Sequence, residues 1–178
     1  MNPDLLRQEK AHLAELIEAV QRCVYFLEAA DASLQWPLEA SMLEKHKKDT
    51  AVFGALAALN ERFAKLQDTL GAAMRHAMGL YGEPAETFLE VLAFQEKIGV
   101  IASSAEWQTC RTARNLAAHS YETDYATIAE HFNALHEMRG FLYRSASRFI
   151  SRCQEKLGVE PAQPDFSEEF GLIVRRVA

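Results

Sequence analysis

The segment Arg114-Asn115-Leu116-Ala117-Ala118-His119-Ser120-Tyr121 holds the side chains best suited to chemistry. An imidazole titrates near neutrality, so His119 can both take and return a proton. The Arg114 guanidinium presents a planar fork of donors that matches a phosphate. Asn115 and His119 are four residues apart, so on a helix the amide can reach the imidazole and fix its tautomer. Arg114 and His119 are five apart, roughly 140° around an ideal helix. They converge on one small group only if the helix ends or bends there, or if a second chain completes the site. Spacing alone is weak evidence, because Arg7 and His12 repeat it. Gln8, Glu9 and Lys10 lie between that pair, which reads as the solvated face of an ordinary helix.

A second candidate is the row Arg144, Arg148, Arg152 and Lys156, spaced by four and set away from the apolar stripe of its helix. Such a ridge suits RNA phosphates or an acidic partner, although charge rows on exposed faces are usually just solvated. Metal chemistry finds little support. A carboxylate-bridged di-iron bundle needs two E-x-x-H pairs, and only Glu9 to His12 is present. There is no H-E-x-x-H, and His131 and His136 are five apart. The phosphate loop, the dinucleotide fingerprint and the nucleophile elbow are absent. Neither a metal nor a cofactor is expected. Cys23, Cys110 and Cys153 are odd in number and far apart, and read as buried thiols in a reducing compartment. Met74, Met78 and Met138 read as core filler, and Trp107 as a packing anchor.

The elements that must position these groups read as helices. Asn2 and Pro3 make a helix start. Leu6, Leu13, Leu16, Ile17, Val20, Val24 and Leu27 then recur at helical spacing to about Ala30, and Asp31 to Pro37 breaks the run. A second long helix, interrupted near Asp49-Thr50, carries Phe53, Leu56, Leu59, Phe63, Leu66, Leu70 and Met74 until Gly79 and Gly82-Glu83-Pro84. A third covers roughly Pro84 to Lys97, with Phe88, Leu89, Leu92 and Ile98 inward. Ser103 or Ser104 caps a fourth, which bears the loaded segment near its end. Thr123 or Asp124 opens a fifth and very long helix that Gly158 ends. No stretch alternates with period two. The expectation is an all-α fold, an antiparallel up-and-down bundle of four to five helices over residues 1–158. Residues 159–178 form a C-terminal tail, whose apolar end from Phe166 to Val177 can dock as a short helix.

The 178 residues suffice for one core. There are 19 Lys and Arg against 25 Asp and Glu, a net charge of −6, so nothing global advertises a polyanion ligand. No basic leader precedes an apolar run, and no stretch nears the ~18 apolar residues of a membrane span. The cytoplasm is therefore the expected compartment.

The segment from Arg114 to Tyr121, in the penultimate helix of an all-helical chain, resembles the R-x4-H-x-Y signature of HEPN domains. It is most similar to the HEPN partners of minimal nucleotidyltransferases (MNT), which include toxins of toxin–antitoxin pairs and so-called substrate-binding subunits. The fold resemblance spans about residues 3–157; its sharp part is these eight residues. The resemblance implies a metal-independent endoribonuclease acting as a homodimer whose paired motifs line one cleft. His119 would then be general base or acid on the ribose 2′-hydroxyl and the leaving oxygen, Arg114 would steady charge on the phosphate, and Asn115 would orient. Tyr121 resembles the residue that the nucleotidyltransferase antitoxin modifies with AMP. The alternatives are a non-catalytic substrate-binding subunit of such a nucleotidyltransferase, which RNLAAHSY resembles as closely, and a plain scaffold bundle.

Overall fold

A computed structural model describes residues 3–119 and 124–177, with side chains of 117–119 outside the described set. The described residues are all-helical: α1 (Pro3–Ala32), α2 (Ala40–Lys45), α3 (Thr50–Leu80), α4 (Phe88–Lys97), α5 (Ser104–His119), α6 (Tyr125–Leu157) and α7 (Ser167–Arg176). No helix among them is long and apolar enough to cross a membrane.

The interruption expected near Asp49-Thr50 separates α2 from α3. Asp49 caps α3 by accepting from the backbone N–H groups of Ala51 and Val52. The third helix starts later than Pro84 because Thr87 and Glu90 form a capping box that fixes its first turn at Phe88. Leu89 does not face inward as the sequence suggested; it is 68% exposed, and Val91, Leu92 and Gln95 take the buried positions. The ten-residue helix is too short for its apolar set to define a face unambiguously. Gly158 ends α6 in the left-handed conformation, φ 63°, that glycine adopts without penalty.

Specific polar contacts fix helix directions. His76 near the end of α3 bonds the Glu9 carbonyl near the start of α1, at 2.8 Å, while Cys23 meets Thr69 further along, so α1 and α3 run antiparallel. Lys10 donates to the Leu157 carbonyl and Asp31 meets His136, which makes α1 antiparallel to α6 as well. Gln67 donates to the Trp107 carbonyl and Arg114 to that of Ala64, setting α5 antiparallel to α3. Asn133 on α6 holds the segment before α2 with a reciprocal pair of bonds to the Leu38 N–H and carbonyl. The stretch after Gly158 returns along α1: the Ala162 N–H donates to the Ala14 carbonyl, Ser167 donates to Gln21, and Phe170 and Ile173 of α7 are buried.

Between the long helices lies one apolar core, whose largest fully enclosed side chains include Trp107, Tyr143, Phe63 and Phe149. Trp107 is thus the packing anchor anticipated from the sequence. Phe63→Ala removes a ring with no exposed surface and should cost about 3–5 kcal/mol. Leu89→Ala should stay within about 0.5 kcal/mol of the parent. Urea denaturation of the two variants measures both; equal losses would contradict the placement of either side chain.

Candidate functional site

Helix α5 continues unbroken to His119, its last residue, so the chain does not bend between Arg114 and the histidine. Arg114 is largely buried, its side chain 13% exposed. Its Nη1 donates to the Ala64 carbonyl at 2.9 Å and to Asp68 Oδ1 at 2.8 Å, both on α3. Its Nε is buried without a hydrogen-bond partner. A guanidinium carries five N–H donors, and Nη1 accounts for two of them in these bonds. Arg114 therefore serves as a strut between α5 and α3, its charge balanced by a carboxylate that is itself 66% exposed. Asn115 is exposed. The side chain of His119 and the whole of Tyr121 lie outside the described residues, and with them the expected contact between Asn115 and the imidazole.

Arg114 lines a groove between α3 and α5 of about 420 Å³, together with Arg75, Arg111, Asp68, Phe88 and Trp107. On the other side of α3, against α1, lies a larger groove of about 570 Å³ that includes Arg22, Arg62, Lys65, Cys23 and Phe26. Asp68 and Ala72 line both. The α3 cations escaped the sequence reading because they are spaced unevenly and divided between two flanks of the helix, and the others come from α1 and α5. The tidier row on α6 is only partly available. Arg144 donates to the Val177 carbonyl at 2.9 Å and so anchors the end of α7. Arg152 is half-buried, and Arg148 and Lys156 are exposed.

A polar constellation between α1 and α6 also went unread. Glu28 and Asp31, three apart on α1, face His136, Arg139 and Tyr143 on one side of α6. His136 Nδ1 lies 2.7 Å from Asp31 Oδ1, and Arg139 reaches the other carboxylate oxygen at 3.1 Å. Tyr143 donates to Glu28, and Trp36 stacks on the His136 ring at 4.2 Å while its indole N–H donates to the Asp31 carbonyl. Against an ionised Asp31 the imidazole must carry a proton on Nδ1. The sequence suggested that Asp31 breaks α1; instead it is buried inside the last turn. The partners of its carboxylate lie 105 and more residues away, so no local pattern announces them.

Burial pushes the Asp31 carboxyl above its ordinary value of 3.8, opposed by the His136 hydrogen bond and the charge of Arg139. A carboxyl so raised holds its proton more tightly in the folded chain, so stability declines as pH rises from the unfolded value through the folded one. Removing Arg139 raises it further. Arg139→Met should cost about 3 kcal/mol at neutral pH by leaving the buried Asp31 carboxylate to His136 alone, with a smaller deficit in acid where Asp31 is protonated. Thermal melts between pH 3 and 7 test this, and a deficit independent of pH would contradict it.

Burial also pushes the Cys110 and Cys153 thiols up to about 12, and raises the half-buried Cys23 less far. Among the described residues no cluster of His, Cys, Asp or Glu could hold a metal ion. Compared with family models, with curated proteins and with solved structures, the chain finds no match in any of the three.

Proposed function

We propose that the chain is a metal-independent endoribonuclease of the HEPN type, an up-and-down helical bundle that acts as a homodimer and is held in check by a cognate MNT-type nucleotidyltransferase. The observation that carries this reading is the place of Arg114: within a turn and a half of the end of α5, lining a groove it shares with Arg75 and Arg111. That setting supports a phosphate-facing role for the motif. A single imidazole cannot be base and acid at one instant, and Arg114 and His119 are separated around their helix. A two-fold pairing of chains answers both points by bringing two copies of the motif to one cleft.

In that cleft one His119 takes the proton of a ribose 2′-hydroxyl as its oxygen attacks the adjacent phosphorus. The bond from phosphorus to the 5′ oxygen breaks, and the other His119 protonates the leaving oxygen. The products are a 2′,3′-cyclic phosphate and a 5′-hydroxyl end. Arg114 steadies the charge that gathers on the phosphate, the kind of term that dominates phosphoryl chemistry, and Asn115 orients the imidazole. Transfer of AMP from ATP to the Tyr121 hydroxyl by the partner, with pyrophosphate leaving, would place a bulky anion two residues from His119 and close the site to RNA.

The engagement of Arg114 Nη1 by Asp68 and Ala64 favours the second reading, a non-catalytic subunit that presents a substrate to the nucleotidyltransferase. The net charge of −6 suits it too. Incubation of the purified chain with transfer or messenger RNA in EDTA separates the two. The ribonuclease predicts cleavage that His119→Ala lowers about 10²–10⁴-fold. Intact RNA, or equal cleavage by the variant, would sink the enzyme and leave the subunit.

A further inference from the structure

The two grooves beside α3 gather Arg22, Arg62 and Lys65 on one side and Arg75, Arg111 and Arg114 on the other. That is six of the chain's 19 Lys and Arg, and the only carboxylate among the lining residues is Asp68, already paired with Arg114. On a protein of net charge −6 such a concentration is local and one-sided. Arg22 and Arg62 stand over the Phe26 ring at 5.7 and 5.4 Å, and all three line the larger groove. Arg62 also meets its neighbour Glu61 at 3.2 Å, a pair open to solvent and weak. Phe26 is 36% exposed, and Leu16, Ala19 and Ala72 add apolar lining. Where the grooves meet, α3 presents only Asp68 and the small Ala72, so a ligand chain can cross the helix there.

We propose that the two grooves form one track that seats the backbone of single-stranded RNA leading to the Arg114 motif. The chemistry of the lining selects the strand type. Cations that alternate with an exposed aromatic ring and apolar walls suit phosphates and unpaired bases together. A duplex hides its bases and would meet these grooves with phosphates alone. The proposal rests on the ribonuclease reading for its substrate, but binding and cleavage fail separately and can be told apart.

The test uses the full chain carrying His119→Ala and a fluorescein-labelled 20-nucleotide single-stranded RNA, with anisotropy read from 50 to 200 mM salt. Each phosphate contact contributes about 0.7 to the slope of log affinity on log salt. Arg22→Gln, Arg62→Gln and Lys65→Gln together should lower that slope by roughly 2 and weaken binding at 50 mM salt at least tenfold. All three side chains are exposed, so the fold should tolerate the changes, and a thermal melt verifies it. Lys47→Gln, exposed in the turn before α3 and outside both grooves, should leave the slope unchanged. An unaltered slope in the triple variant, equal affinity for a duplex, or equal competition by polyglutamate would overturn the track. RNA that binds through the track but is left uncut by the parent chain supports the track and removes only the ribonuclease. Cleavage that depends on His119 but ignores the triple variant does the reverse.

Discussion

The closeness of α5 to α3 is the constraint from which the rest of the site follows. Gly71 makes it possible: a Cβ there would stand 3.1 Å from the Phe88 ring and 3.5 Å from that of Trp107. With no side chain at that position, both rings rest against the α3 backbone. Trp107 is then buried, and its carbonyl accepts from Gln67 at 2.9 Å. Two helical turns further along α5, that approach lets Arg114 reach a backbone carbonyl of α3 as well as Asp68. The depth of the smaller groove, the seat of the guanidinium and the direction of the motif helix therefore share one cause.

Two kinds of polar contact hold the assembly, and they differ in what they can spare. The constellation of Asp31, Glu28, His136, Arg139 and Tyr143 is half-buried around a buried Asp31 and Tyr143, and each member answers another. Networks of that sort define a register between helices more than they add stability, since the cost of drying the charges offsets much of their attraction. Asp68 and Arg114 make a different pair: one partner is buried, the other wet. A carboxylate at the surface can exchange its partner for water cheaply, which gives the strut a freedom that the α1–α6 network lacks.

What the sequence made legible follows the range of the interactions involved. Helices α1, α3 and α6 are long enough for their apolar period to be plain, and Gly158 and Asp124 marked ends that the chain respects. The short α4 misled, because over ten residues Leu89 fits an apolar stripe that Val91 and Leu92 in fact define. Asp31 misled for another reason: an acid after an apolar run looks like a stop unless its cation is known, and here the cation is on α6. The motif was visible because its eight residues are contiguous. The partner of Arg114 was not, standing 46 residues earlier on α3. The cationic face was invisible for the same reason, being assembled from three helices, whereas the regular row on α6 drew the eye and proves to be partly spent on fastening α7.

Asp68 and Ala72 belong to both troughs beside α3. Packed helices lie roughly 8–10 Å apart, close to the screening distance of physiological salt, about 8 Å. The positive charges on the two flanks of α3 therefore push on one another when both flanks are empty. An anion that settles on one flank lowers the positive potential felt on the other, so the second seat of the proposed track fills less readily than the first, without any helix having to move.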